Sequence, residues 1–436
     1  MTAMRRLLAF ILGTALLVAV AVWLTDRPGA VTVHWHGWRI DTTVTMLVLT
    51  IVVVVALVEV LLRLGLGLIR APRRWLAERR ARRLAEGYRA LSDGLAAVSA
   101  GDKRASHTLA RRAEKLLADP SLTGLLSARA AEMAGDAKAA EQRLEAMVAR
   151  PETAFVGLEG LMRLALTKGD NARALDYARR AWALGTRAEG LAPILFDLQA
   201  RAGQWAEAEL TLTEARKRGV VAEEGVGRRL ALVLTQRALT VENTGDKDAA
   251  AILALKAHQT DPAFVPAATL AARLLLACGK PRKAAAVIEK TWGLASHPDL
   301  ARVWRDLAPT ETPLARVKRL ERLIHANREA ADSHIALAEA ALDAGLWGQA
   351  RSHLMKAEGR RPAAAYGLLA RLEESEHKDE AAARAWRTKA ETAPPGPAWT
   401  CSACGTRSES WSAACPSCGA IDGLAWRSQS GKGQES

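Results

Sequence analysis

Gly245-Asp-Lys-Asp-Ala-Ala250 returns 34 residues later as Gly279-Lys-Pro-Arg-Lys-Ala284, and this interval decides the fold. The same glycine stands at Gly101, Gly135, Gly169 and Gly203, each 34 residues from the next, and after an offset of 42 the comb resumes at Gly245. Five residues beyond each glycine is a small side chain: Ser106, Ala140, Ala174, Ala208, Ala250 and Ala284. The pair recurs as Gly345 and Ala350, and a last copy reads His377 and Ala382. A period of 34 is that of two helices joined by two turns. Glycine suits the left-handed residue that ends the first helix, and a small residue lets the second helix pack closely against it. Most of the chain is therefore expected to be a stack of helical hairpins.

The comb resembles the tetratricopeptide repeat (TPR). A second alanine lies seven beyond the first at Ala113, Ala181, Ala215, Ala257 and Ala357. Proline closes repeats at Pro262, Pro362 and Pro394, with Pro120 and Pro151 nearby, because proline cannot continue a helix. Gly94 fits the glycine of a first helix. The match runs from Leu91 to Leu294 and weakens between His297 and Arg328, where Pro309 and Pro313 interrupt it and one repeat has lost its glycine. The resemblance implies an α-solenoid that binds partner proteins in a groove.

Two apolar runs, Leu7–Leu24 and Val44–Leu62, precede the repeats, and each is long enough as a helix to span a hydrocarbon core of about 30 Å. The loop between them holds Arg27 and Arg39, whereas Arg63, Arg70, Arg73, Arg74, Arg79, Arg80, Arg82 and Arg83 follow the second run. Positive residues favour the cytoplasmic side, so the expectation is a two-pass protein of a bacterial inner membrane with both termini cytoplasmic. The arginine-rich segment is then expected to touch anionic lipids, with a helical connector over Arg73–Arg83. Glu59 and Arg63, four apart, are read as an ion pair near the exit of the second span. The loop Val31-Thr-Val-His-Trp-His-Gly-Trp-Arg39 alternates like an extended segment, with Trp35 and Trp38 suited to a membrane interface. His34 and His36 there are a weak candidate pair for a metal or haem.

The strongest chemical motif is Cys401-Ser-Ala-Cys404, followed after ten residues by Cys415-Pro-Ser-Cys418, each pair trailed by a glycine, Gly405 and Gly419. Two residues between cysteines bring both thiolates to one metal, and glycine supplies the dihedral that closes the turn. Four thiolates leave no vacant position, which suits a structural zinc, with iron in a rubredoxin-like arrangement as the competitor. Two disulfides are the alternative, disfavoured if the module faces the cytoplasm. Cys278 is read as buried packing at a helix end. Trp399, Trp411 and Trp426 either cover the metal module, too small to fold on an apolar core alone, or form a docking surface. The formal net charge of +14 does not point to nucleic acid, because from Ala398 onward the charges balance to zero.

The expected class is thus all-α: two transmembrane helices, a TPR-like α-solenoid and a four-cysteine zinc-ribbon or rubredoxin-like module. The boundaries read 1–69 for the transmembrane hairpin, 70–90 for the basic connector, 91–395 for the solenoid, 396–427 for the metal module and 428–436 for a disordered tail.

The segment Gly87-Tyr-Arg-Ala-Leu-Ser-Asp-Gly-Leu-Ala-Ala-Val-Ser-Ala-Gly-Asp102, together with Asp26-Arg-Pro-Gly29, Gly37-Trp-Arg-Ile-Asp-Thr42 and Pro397-Ala-Trp399, resembles the HemY-type membrane TPR proteins of proteobacteria. The resemblance covers nearly the whole chain and implies a scaffold associated with haem or porphyrin biosynthesis. The cysteine tail is similar instead to that of lipopolysaccharide assembly protein B, which implies an adaptor in lipopolysaccharide assembly or regulated proteolysis. A haem-handling protein is the third expectation. No catalytic residue can be named, so no enzyme activity is expected. The G-x-G candidates, Gly65-Leu-Gly67 and Gly225-Val-Gly227, lack the third glycine and preceding strand of a flavin dinucleotide site.

Overall fold

The computed structural model describes residues 15, 19, 22–23, 29–36, 38–185, 190–221 and 225–428. They fall into two compact units, residues 1–136 and 137–436.

The first unit opens on strands β1 (Ala30–Trp35) and β2 (Trp38–Thr43), an antiparallel hairpin with Ala30 opposite Thr43 and Trp35 opposite Trp38. The extended segment expected there is present, and the chain turns at His36 with φ of 52°. Helix α1 (Val44–Ser99) follows directly and runs 56 residues. The helical connector expected over Arg73–Arg83 lies inside it, with the Arg79 guanidinium 3.4 Å from the centre of the Trp75 ring. Helices α2 (Lys103–Leu117) and α3 (Pro120–Ala134) complete the unit. A Cβ on Gly94 would meet Leu126 Cδ2 at 2.7 Å, so this glycine lets α1 and α3 approach.

The membrane expectation is corrected here. Among the described residues no helix is long and apolar enough to cross a membrane, which overturns the two-pass inner-membrane placement. The second apolar run does not stand as a separate span; it is one end of the continuous 56-residue helix that carries the arginines. The first run apart from residues 15, 19 and 22–23, the Arg63 partner of Glu59 and residues 429–436 of the tail lie outside the described residues or side chains. The lipid contact drawn for the arginines loses its basis with the spans.

In the second unit, first and second helices of each repeat alternate. The pairs are α5 (Ala154–Thr167) with α6 (Asn171–Ala183), α7 (Leu191–Arg201) with α8 (Trp205–Arg218), and α9 (Val226–Asn243) with α10 (Lys247–Thr260). Next come α11 (Val265–Ala277) with α12 (Pro281–Leu294), then α13 (Pro298–Asp306) with α14 (Pro313–Ile324). The last pairs are α15 (Ala331–Asp343) with α16 (Trp347–Glu358) and α17 (Pro362–Glu376) with α18 (Glu380–Thr392). Helix α4 (Ala137–Val148) precedes them.

Local chemistry explains the punctuation. Gly101, Gly135, Gly169, Gly203, Gly245, Gly279 and Gly345 all take φ between 68° and 94°, the left-handed region where a Cβ is strained. Ser106, Ala174, Ala208, Ala250, Ala284 and Ala350 are each 0% exposed, so any larger side chain would push paired helices apart, and Ala140 is likewise 0% exposed. An aspartate after the glycine often caps the second helix: Asp170 accepts from Arg173 N, and Asp246 from Ala249 N.

The final repeat departs from the expected register by one residue. His377 keeps a right-handed conformation, while Lys378 takes φ of 53° and Ala383, rather than Ala382, is the 0% exposed residue. Asp379 then caps α18 through Ala381 N and Ala382 N. The repeat is conserved in geometry but has lysine in the glycine slot. Lys378→Gly is therefore expected to stabilise the protein by about 1 kcal/mol, and Gly345→Ala to cost about 1–2 kcal/mol, in urea denaturation.

The all-α expectation is also amended. Besides β1 and β2, the chain ends in a three-stranded antiparallel sheet of β3 (Ala398–Cys401), β4 (Arg407–Ser408) and β5 (Leu424–Arg427), in the order β4-β3-β5. Between α12 and α15 the hairpin α13–α14 has no glycine turn, and α13 is only nine residues long. Trp292, fully buried, bridges past it by donating from Nε1 to Ser333 Oγ at 3.0 Å.

Candidate metal centre and its seat on the repeats

The two C-x-x-C-G segments fold as matched turns. Gly405 N donates to Cys401 O at 2.9 Å, and Gly419 N to Cys415 O at 2.8 Å. Cys401 N donates to Thr406 O and Cys415 N to Ala420 O, both at 2.9 Å. The glycines take φ of 74° and 69°, which closes each turn where a side chain would be strained. Strand β3 delivers Cys401, and β5 pairs with it so that Leu424 lies opposite Cys401.

The four sulfurs come together across the turns rather than within them. Cys401 Sγ is 3.7 Å from Cys418 Sγ, and Cys404 Sγ is 3.7 Å from Cys415 Sγ. All four lie within 4.8 Å of one another, and every one is a free thiol, so the disulfide alternative is not formed. A tetrahedron with metal–sulfur arms of about 2.3 Å has edges of roughly 3.8 Å, so the set could hold a metal ion. One thiol of each pair is buried (Cys401, Cys415) and the other exposed (Cys404, Cys418), which places the centre at the module's surface.

Neighbouring hydrogen-bonding groups favour the thiolate at Cys404 and Cys415. The Thr406 side chain, 3.2 Å from Cys404 Sγ, and then the Thr406 N–H draw the Cys404 thiol down to about 6. The Cys418 N–H lowers Cys415, against burial. Cys418 feels the lowering pull of the Ala420 N–H, but hydrogen bonding with Cys404, burial and the other thiols outweigh it and push Cys418 up to about 11. One thiol of the four thus carries the like-charge strain that a cation would relieve.

The tryptophans serve both roles considered from the sequence. Trp399 is 4% exposed and packs with Cys401, Cys415 and Leu424 into a small core, with Trp426 edge-on at 5.5 Å. The same module is seated on the first helices of the repeats. Ala413, Trp411 and Ile421 join the apolar cluster of Phe196, Leu232, Phe264 and Ala267. Phe264 is held between the Trp411 ring, 5.3 Å away and edge-on, and the Arg228 guanidinium at 4.0 Å. Arg228 Nε also donates to Asp422 Oδ1 at 3.3 Å, and burial raises the Asp422 carboxyl although Arg228 draws it down.

His297 anchors the far side of this seat. It caps α13, accepting at Nδ1 from Asp299 N, and its 2% exposed ring lies 5.3 Å from Trp399 and 4.2 Å from Trp426. Burial, with the Arg361 and Arg302 charges added and Asp299 opposing, lowers His297 to about 4. A depressed histidine contributes stability that is present above its unfolded value near 6.5 and lost as pH falls toward 4. An NMR titration of the His297 ring is expected to show a midpoint near 4. His297→Asn, which keeps the cap, is expected to flatten the loss of stability between pH 6.5 and 4.

Two clefts lie on the first-helix face. One, of about 230 Å³, is bounded by α9, α11 and the module's Trp399 and Trp411. The other, of about 210 Å³, lies over α13–α15 and is lined by Arg302, Arg305 and Arg316 facing Asp332, Glu339 and Asp343.

Other sequence candidates fare differently. His34 pairs in register with Arg39 and His36 is exposed at the turn; among the described residues only the four cysteines form a metal-competent group of three or more ligands. Cys278 is half-buried rather than buried, its thiol donating to Lys247 O at 3.7 Å. Arg228, Phe264, Ala413 and Asp422 escaped the sequence reading because their contacts join segments far apart in the chain. Only the scarcity of phenylalanine, four in 436 residues, marks Phe264 as unusual.

The family described as HemY protein N-terminus matches residues 29–150. A protein of Magnetospirillum gryphiswaldense (strain DSM 6361 / JCM 21280 / NBRC 15271 / MSR-1), named "Probable magnetosome protein Mms48", is 30% identical over 428 residues, covering 97% of this chain and 93% of that protein. Among solved structures, MamA aligns over 36% of this chain and 92% of its own at 19% identity with a TM-score of 0.26. The TPR2AB domain of yeast Sti1, in its pHSP90 complex, aligns over 70% of this chain and 99% of its own at 13% identity with a TM-score of 0.28. Scores this low carry no argument. The near full-length relative, the N-terminal match and the repeats together establish that the chain belongs to the HemY-type family of TPR proteins.

Proposed function

We propose that this protein is a non-catalytic scaffold whose repeat face holds partner proteins, and that Cys401, Cys404, Cys415 and Cys418 bind a structural metal. Zinc is the ion we favour, with iron in second place. The observation that carries the reading is the seat of the C-terminal module. The first helices from α7 to α13 already accept a separately folded piece of polypeptide through aromatic, apolar and charged contacts. Four thiolates saturate a tetrahedral ion, so the metal would fix the module's shape and supply no open site for chemistry.

For the pathway, family membership favours enzymes of haem or porphyrin biosynthesis as partners. The name of the Magnetospirillum relative favours a second reading, assembly of the proteins of an organelle. Site-specific photo-crosslinking separates them. A crosslinker at Arg302 or Arg305, on the first-helix face, is expected to capture a defined set of proteins, and one at Ile252, 70% exposed on α10, is not. Haem-pathway enzymes in that set support the first pathway, and organelle proteins the second. Equal capture from both faces contradicts the scaffold reading.

A further inference from the structure

Helices α15 and α16 bring two histidines face to face. His334 lies near the start of α15 and His353 in the middle of α16, and their Nδ1 atoms are 3.0 Å apart. The rings are tilted by 33°, with centres 5.2 Å apart, and both are half-buried. Their backbones are fixed by packing. Ala338, four residues beyond His334, is 0% exposed, as are Ala350 and Ala357, three before and four after His353. Residues at those spacings share a helix face, so both imidazoles stand where the two helices meet.

Without a metal, one N–H···N bond joins the two nitrogens. Burial, with the Lys356 charge added, lowers His334; burial, with His334 and Lys356 added, lowers His353. Both rings are therefore neutral imidazoles at neutral pH, the form that ligates. The charges around them are exposed and balanced, Lys356 and Arg360 against Glu321 and Glu329, so a cation meets no net repulsion.

The spacing carries a preference of its own. Metal–nitrogen arms of about 2.0–2.1 Å at right angles put two ligand nitrogens roughly 2.8–3.0 Å apart, whereas the tetrahedral angle needs roughly 3.3–3.4 Å. The 3.0 Å separation fits the right angle. Square-planar and tetragonal sets of nitrogen and oxygen belong to Ni²⁺ and Cu²⁺, and the tetrahedron to Zn²⁺.

We propose that His334 and His353 form a second metal site, a two-imidazole clip across the α15–α16 hairpin that takes a divalent nickel or copper ion, with water in the remaining positions. Binding releases no net proton. The ring that donates from Nδ1 in the hydrogen bond carries its proton at Nε2 in the complex, and the other ring already does. The site shares no residue with the cysteine centre, and imidazole in place of thiolate selects a different ion. It is independent of the scaffold reading.

The test is calorimetric titration of the untagged, zinc-loaded full chain with Ni²⁺, followed in parallel by NMR of the histidine rings. One Ni²⁺ per chain is expected to bind, and the ring signals of His334 and His353 are expected to broaden or shift ahead of every other histidine. His334→Gln and His353→Gln are each expected to weaken binding about tenfold or more, at least what loss of an outer-shell partner costs a metal site. Circular dichroism establishes that each variant is folded, and the ring signals of the wild type decide the matter if neither is. No saturation by about 1 mM Ni²⁺ overturns the inference, as does undiminished binding in both folded variants. Nickel uptake matched by zinc loss, with the His334 and His353 rings unmoved, overturns it equally.

Discussion

Cys415→Ser is expected to unfold the C-terminal module while leaving the helices in place. The module spans about thirty residues, and its own core is little more than Trp399, Cys401, Cys415 and Leu424. A core that small does not sustain a fold without a staple. The binding free energy of a tetrathiolate zinc, about 10–16 kcal/mol in small zinc peptides, is then the module's folding free energy. Losing one of four ligands, and one of the two buried beside Trp399, removes most of it. The measurable signature is a red shift of tryptophan emission as Trp399, Trp411 and Trp426 reach water, with bound zinc falling from one to near zero per chain. Far-ultraviolet circular dichroism should hardly change, because the helices do not need the metal. A variant that retains one equivalent of metal, or elemental analysis of the wild type finding neither zinc nor iron, contradicts the assignment.

Gly157→Val is expected to be the most damaging single substitution in the repeat array. A Cβ at Gly157 would stand 2.8 Å from Leu144 O and 2.9 Å from Val148 N, both backbone atoms of α4 that cannot swing aside. Nearby Gly160 would meet side-chain atoms of Leu144 rather than backbone, the nearest being Cδ2 at 2.5 Å. The two glycines therefore separate two kinds of tightness. Gly157→Val requires α4 and α5 to part, at a cost of about 3 kcal/mol or more, and Gly160→Ala costs about 1–2 kcal/mol. Urea denaturation followed by circular dichroism ranks them. Equal and small losses would show that α4 and α5 do not pack as closely as described.

The repeat array was legible because its signals are local. Each glycine answers to one dihedral, each alanine to one helix contact, and the 34-residue period carries both along the chain. The exception is instructive. The last copy was placed at His377 and Ala382, yet Lys378 and Ala383 fill those roles. The aspartate cap marks the true register, since Lys378-Asp379 stands where other repeats read Gly-Asp, as in Gly245-Asp246. The four cysteines were legible for the same reason: a C-x-x-C-G turn specifies itself. What the sequence did not disclose is where the module sits. Asp422 meets Arg228 across 194 residues, and His297 meets Trp399 and Trp426 across more than one hundred. No periodicity encodes such pairings. The apolar runs misled in the opposite direction, because hydropathy was read as a pair of spans, whereas the described part of the second is the start of a long helix continuing into the first repeat.

The seat of the module on the repeat face joins all of these contacts, and it is the claim on which the scaffold reading depends. Hydrogen–deuterium exchange of the full chain, with bound zinc and after its removal by chelation, tests it most directly. With zinc bound, the segments around Arg228, Phe264 to Leu270 and His297 to Asp299 should be protected by the docked module. After chelation those three segments should exchange faster, while α15–α18 remain unchanged. Unchanged protection at Phe264 and His297 when β3 and β5 have lost theirs would show that the module does not rest on the repeats.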